Sequence, residues 1–213
     1  LDGELIAGIG GAKAYGNYNA DIHVFDEDEM SPFSQNLPLC VTFDWNVRPL
    51  VCLIAQRSGT MFRLYDELIV PEEASVSQMA DKFKEAYPSH GNELWIYGDP
   101  NGNRKNVQSS LTNYDIFRNE IHGYYPYPRL KLRGNAPSDI VRMGAVNTAL
   151  RGPGGVSNIE ISNKCVELIK DFEDVVIGND GRIKKISTSS SDPYAKRTHV
   201  SDALGYLVEY EAP

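Results

Sequence analysis

Apolar residues fall into no sustained period before residue 38, and into short, clear ones after it. Leu39-Cys40-Val41-Thr42-Phe43 is a β-rich run that ends at Asp44. Pro49 to Gln56 is a second run, closed by Arg57-Ser58-Gly59-Thr60, and Met61 to Val70 is a third. The short turns between them predict an antiparallel meander. From Ser75 to Tyr87, Val76, Met79, Ala80, Phe83 and Ala86 recur at helical spacing, with Ser75 or Ser77 to cap the start and Pro88 to stop it. Glu93 to Tyr97 predicts a fourth strand, ending in Gly98-Asp99-Pro100-Asn101-Gly102. A helix near Tyr114 to His122, a strand near Arg129 to Leu132 and a helix from Ser138 to Leu150 follow. Beyond these come a short strand at Ile159 to Ile161 and a helix from Lys164 to Phe172. Asn179-Asp180-Gly181 lies between Val175-Val176-Ile177 and Arg182 to Ile186, a hairpin signal. Ser187 to Ser191 reads as a loop, and Thr198 to Glu209 as a final amphipathic helix.

The segment 1–37 reads instead as an irregular arm or linker, glycine-rich at Gly8 to Gly11 and acidic at Asp26 to Glu29. Residues 38–213 are then one α/β domain, a size that 213 residues and 41% hydrophobic content allow. The start Leu1-Asp2-Gly3-Glu4, without Met or a signal-peptide pattern, reads as a piece of something longer. No apolar run is long enough for a membrane span. Three cysteines without close spacing argue against both a disulfide framework and a zinc site. Cys40 and Cys52, inside apolar runs, read as core residues of a protein in a reducing, intracellular setting.

The net charge of −8 speaks at first against a nucleic-acid partner. Its distribution changes that. Residues 1–128 hold 9 basic and 18 acidic side chains, whereas 129–213 hold 12 and 11, a net of −9 against +1. Phosphate binding needs a local basic face rather than a basic total. Arg129 to Arg133 and Arg182 to Lys185 supply candidates for one, and equally for solvated edge strands.

Three aspartates stand out by position: Asp44 after the first strand, Asp99 after the fourth, Asp202 on the last helix. Phosphodiester cleavage requires an activated water and a stabilised leaving oxyanion, and two hard divalent cations supply both. Carboxylates clustered in one cleft repel each other unless cations neutralise them. Each aspartate has a plainer reading as well: Asp44 and Asp99 as turn residues, Asp202 as the solvated edge of an apolar helix face. Asp66, Glu67 and Asp115 are second-choice acids. No Gly-x-x-x-x-Gly-Lys-Ser/Thr loop and no glycine elbow with a nucleophile-base pair occurs.

Taken together, Phe43-Asp44-Trp45-Asn46, Tyr97-Gly98-Asp99-Pro100-Asn101-Gly102 and Thr198-His199-Val200-Ser201-Asp202-Ala203-Leu204-Gly205-Tyr206 resemble three motifs of the nuclease domain of tailed-phage terminase large subunits. In that family the first and fourth strands end in acidic residues, and the last helix opens with a His-x-x-Asp-Ala pattern near a Tyr. Where many members have a glycine close to the first Asp, this chain has Trp45-Asn46. The resemblance covers roughly 38–213, and Leu1 to Leu5 resembles the segment leaving that family's ATPase domain.

It implies a ribonuclease-H-like fold, with a mixed central sheet, flanking helices and an auxiliary β-hairpin. It further implies two Mg²⁺ or Mn²⁺ ions on Asp44, Asp99 and Asp202, with His199 beside them, and cleavage of concatemeric double-stranded viral DNA in the host cytoplasm. An upstream ATPase domain, a portal ring and a small terminase subunit are the implied partners. Arg104, Lys105, Arg182, Lys184, Lys185, Lys196 and Arg197 are the candidate phosphate contacts. A junction resolvase or transposase of the same fold would use the same acids, and a non-catalytic domain docking on the portal would use none.

Overall fold

A computed structural model of the chain describes residues 11–105, 110–186 and 192–212. Its centre is the predicted meander: β2 (Leu39–Asp44), β3 (Leu50–Ser58) and β4 (Met61–Val70), paired antiparallel in sequence. All of β2 and most of β3 are buried. That is why they read as continuous apolar runs rather than as an alternation: both faces of the sheet are covered. Gly59, at φ +61, makes the tight turn between β3 and β4.

β5 (Leu94–Gly98) lies parallel to β2 on its free side, and β6 (Arg129–Leu130) lies parallel to β5. At the other edge β7 (Ile159–Ser162) runs parallel to β4, and β1 (Val24–Phe25) parallel to β7. The seven-stranded sheet has the order β1-β7-β4-β3-β2-β5-β6. α2 (Val76–Ala86) and α3 (Asn113–Ile121) cover one face through Met79, Phe83 and Phe117, packed on Val41, Phe43 and Ile54. α4 (Asp139–Leu150), α5 (Val166–Asp174) and α6 (His199–Glu211) cover the other through Val146, Leu168, Phe172, Leu204 and Leu207. Three starts are locally encoded: Ser75 with Gln78 and Thr112 with Asp115 form capping boxes, and Ser138 caps α4.

Two expectations differ from this. The described part of the segment up to residue 37 is mostly turns and coil, but it packs into the domain rather than leaving it as an arm. Lys13 bridges Val176, Ala14 and Tyr15 are buried against Phe172 and its neighbours, and α1 (Ala20–His23) leads into β1. Single apolar anchors in polar context carry no period, so no pattern announced them. The hairpin is shorter than expected. It closes as one bridge, Ile177 to Ile183, around Gly181 at φ +76, with the Gly178 N–H donating to Arg182 O at 2.7 Å. The expected loop Ser187 to Ser191 lies outside the described residues. Cys40, Cys52 and Cys165 are buried free thiols, and burial pushes the Cys40 thiol up to about 12. Among the described residues no helix is long and apolar enough to cross a membrane.

Candidate active site

Parallel pairing of β2 with β5 sets the site. Phe43 is in register with Gly98, so Asp44 and Asp99 stand at the C-terminal ends of adjacent strands, and the Asp99 N–H donates to Phe43 O at 3.2 Å. Gly98 has φ +140, and a Cβ there would meet Phe43 O at 2.5 Å. Only glycine permits so close an approach of the two chains. Asp99 is also the turn residue it looked like, since its Oδ1 accepts the Asn101 N–H at 2.8 Å and caps the 3₁₀ turn Pro100–Asn103. The same turn sits on Trp45, which stacks on Phe43 at 4.3 Å.

α6 brings the third acid. The Thr42 hydroxyl donates to Ala203 O at 2.5 Å, fixing the helix across β2 one turn beyond His199. Thr198, just before the helix, holds φ +79, a left-handed conformation unusual for a β-branched residue. The Asp202 N–H at 2.8 Å and the Ser201 hydroxyl at 3.2 Å both donate to its carbonyl. Beneath it, Asp171 Oδ2 accepts the Ser201 N–H at 3.0 Å.

In the cleft, Asp44 Oδ2 accepts from Asn46 Nδ2 and from His199 Nδ1, the latter at 3.0 Å, and His199 Nε2 is buried without a hydrogen-bond partner among the described residues. Burial raises the Asp44 carboxyl, against the His199 bond, and the nearby Asp202 charge adds to the rise. For His199, burial opposes the charged form, but the Asp44 bond and charge outweigh it and raise the imidazole. Asp202 has both oxygens engaged by cations: Arg142 Nη2 on Oδ1 at 2.8 Å and Lys185 Nζ on Oδ2 at 2.5 Å. Arg142 also donates to Pro137 O at 2.5 Å and to Asp139 Oδ1 at 3.2 Å, and lies 4.4 Å from the Tyr206 ring centroid. Asp44, Asp99, Asp139 and Asp202 all line one hollow of about 560 Å³. A surface hollow of about 590 Å³ between His90 and Arg129 holds one carboxylate, Glu93, already paired with Arg129.

The structure thus brings Asp44, Asp99, Asp202, His199 and Lys185 around one cleft. Arg104, Lys105 and Arg182 are exposed, Arg104 following the Asp99 turn; Lys184 is half-buried, 5.9 Å from the Tyr194 ring. Arg197 lines the same hollow but is not a free cation. It is 8% exposed and ion-paired with Glu167 and with Asp171, the latter at 3.5 Å, so it braces α5 against the start of α6. The Lys196 side chain lies outside the described residues. Asp66, Glu67 and Asp115 serve elsewhere. Asp66 accepts from Tyr87, Asp115 caps α3, and Glu67 accepts the N–H groups of Glu167 and Leu168, with burial pushing its carboxyl up to about 7.

Sequence reading missed Arg142, Asp139 and the role of Asn46. The i,i+3 pair Asp139–Arg142 was visible as a helical ion pair, but nothing local pointed to Asp202, sixty residues on. Among the described residues no three His, Cys, Asp or Glu side chains converge closely enough to hold a metal ion as they stand. The chemistry of the hollow nonetheless fits a hard cation. Its donors are carboxylate oxygens, and one of them already binds a cation, the Lys185 ammonium.

No family model matches the chain, and no curated protein sequence is found similar to it. Solved structures are similar. The large terminase of a thermophilic bacteriophage superposes with TM-score 0.63 and 14% identity over 93% of this chain, which spans 45% of that protein's length. The nuclease domain of the bacteriophage SPP1 large terminase, with bound Mn, gives TM-score 0.53 and 14% identity over 93% of this chain and 98% of that domain. The large terminase nuclease of the thermophilic phage G20c, with bound magnesium, gives 0.57 and 7% over 94% of this chain and 97% of that one. At such identities the likeness carries the fold, and the chain has the ribonuclease-H-like α/β fold of these large-terminase nuclease domains.

Proposed function

We propose that this chain is a divalent-metal-dependent DNA endonuclease that cuts concatemeric viral DNA during genome packaging. The observation that carries the reading is the convergence of Asp44, Asp99 and Asp202, from two strand ends and a helix, on one hollow of about 560 Å³ in a fold shared with terminase nuclease domains. Asp44, Asp99 and Asp202 would hold two Mg²⁺ or Mn²⁺ ions. When bound, such ions activate a water and stabilise the leaving oxyanion of an in-line displacement.

The chain's own residues do the rest. Asn46 and His199 orient the Asp44 carboxylate; Asp44 raises the imidazole, so His199 donates through Nδ1 to Asp44 and, when protonated, has a second N–H at Nε2 for a water or phosphate oxygen. Arg142 fixes one oxygen of Asp202 from below. Arg104, Lys105, Arg182, Lys184 and Lys185 are the cations for duplex phosphates, contacts that position DNA without reading its sequence. An upstream ATPase domain, a portal ring and a small terminase subunit, met in the host cytoplasm, complete the proposed setting.

The test is plasmid nicking and linearisation with Mn²⁺, Mg²⁺ or chelator. Cutting should require the metal and fall at least about a hundredfold in each of Asp44→Asn, Asp99→Asn and Asp202→Asn, with the melting curve retained. Cutting that survives the triple substitution, or no cutting with any metal, would end this reading.

A further inference from the structure

The two cations on Asp202 are built differently. Arg142 has a side chain 6% exposed, with its guanidinium held at once by Pro137, Asp139, Asp202 and the Tyr206 ring. Lys185 has a side chain 45% exposed, carried two residues beyond the Ile177–Ile183 bridge at the rim of the hollow. Its ammonium reaches Asp202 Oδ2 on a flexible four-carbon stem. One cation is a fixture and the other is removable.

A divalent ion ligated by Asp202 Oδ2 needs the lone pairs that the ammonium now occupies. It would also bring like charges into contact with Lys185. The hollow sets Asp44, Asp99, Asp139 and Asp202 against Arg142, Arg197 and Lys185, with Arg197 already paired to Glu167 and Asp171, so its lining stays negative once the lysine leaves. We propose that Lys185 is the removable counter-charge of this site: it holds Asp202 until a divalent cation enters, and the freed ammonium then binds a DNA phosphate. Metal loading and DNA binding are thereby coupled through one side chain. This rests on the metal-dependent nuclease reading, and extends it to how the metal-free protein keeps its acids neutralised and why DNA binds better after loading.

The experiment is calorimetric titration of metal-free protein with Mn²⁺, without DNA, for wild type, Lys185→Met, Lys185→Arg and Asp202→Asn. Lys185→Met should bind Mn²⁺ about tenfold more tightly than wild type, because no ammonium must be displaced, and Lys185→Arg should not. Anisotropy of a labelled duplex with Ca²⁺, an oxygen-seeking ion, should show a metal-dependent gain in affinity for wild type that Lys185→Met loses. The salt slope of that complex should flatten by about one phosphate contact. Equal or weaker Mn²⁺ binding by Lys185→Met would overturn this inference and leave the nuclease reading standing. No Mn²⁺ binding by wild type and Lys185→Met alike would take both away.

Discussion

Asp171 holds the start of α6 in place, and its charge should work against the fold. The side chain is 1% exposed, with Oδ2 accepting the Ser201 N–H at 3.0 Å and Arg197 Nη1 3.5 Å from Oδ1. Burial pushes its carboxyl from 3.8 up to about 6, with the Ser201 and Thr198 N–H groups and Arg197 pulling the other way. A carboxyl whose folded value exceeds its unfolded value holds its proton more tightly when folded. Its ionisation therefore removes stability as pH rises from 3.8 through about 6, and the penalty is complete above that window. The gap amounts to about 3 kcal/mol, of which about 2 kcal/mol falls between pH 4.5 and 7.5.

Asp171→Asn keeps an acceptor for Ser201 but has nothing to titrate. Arg197 stays charged throughout, so its lost partner is a constant offset; Glu67 and His199 both feel the Asp171 charge, and its removal eases Glu67 ionisation and lowers the imidazole, shifts that add to the variant's gain as pH rises. Urea unfolding of the two proteins across that range should show the asparagine variant gaining about 2 kcal/mol on wild type as pH rises. A difference flat to within about 0.5 kcal/mol would mean that water or Arg197 solvates the carboxylate far better than its burial indicates.

Glycines beside the cleft give sharper steric tests. A Cβ on Gly102 would overlap Trp45 Cδ1, so Gly102→Ala should cost about 1–3 kcal/mol in thermal melts and shift the Trp45 fluorescence as the ring moves off the Asp99 turn. On α6, a Cβ at Gly205 would meet Arg142 Cβ at 3.0 Å and Cδ at 3.3 Å, and Arg142 is pinned by Pro137 and Asp202. Gly205→Ala should therefore lose about 1 kcal/mol. Gly144→Ala on α4, where a Cβ meets nothing within 4 Å, should instead gain about 0.5–1 kcal/mol. Equal melting temperatures for these two variants would contradict the packing described for Arg142.

The sheet strands and main helices were legible from their apolar runs and spacings, as in the continuous run of β2 and the three- and four-residue spacing of α2; α6 reads as amphipathic, but every residue from His199 to Val208 is buried. The site was legible only as three separate aspartates. Its assembly depends on β5 pairing with β2 rather than with β4, its predecessor in sequence, and no local pattern encodes that choice. Charge was read least well. Arg197 looks in sequence like Lys196, its neighbour, yet is buried because Glu167 and Asp171 on α5 pack beneath it. Lys185 looks like a free surface cation and ends on an acid seventeen residues away. Whether a long cation reaches solvent or a carboxylate is decided by tertiary neighbours, and composition is silent about those.

That arrangement also bears on how the chain folds without an ion. Four carboxylates lining one hollow should repel, and in many small metal sites folding waits for the metal. Here the chain supplies its own neutralisation. Arg142 and Lys185 take the two oxygens of Asp202, Asn46 and His199 take Asp44, and a backbone N–H takes Asp99. Each of the three acids has at least one hydrogen-bond partner without a metal, and all of them line one solvent-open cleft. The contacts differ in what they resist. Those on Asp44 and Asp99 come from the turns after β2 and β5 and from the first residue of α6, and keep the carboxylates aimed, whereas the ammonium on Asp202 sits in the cleft itself. On the proposed reading folding and cation binding are separable, and the step between them falls on Lys185, the more exposed of the two cations on Asp202.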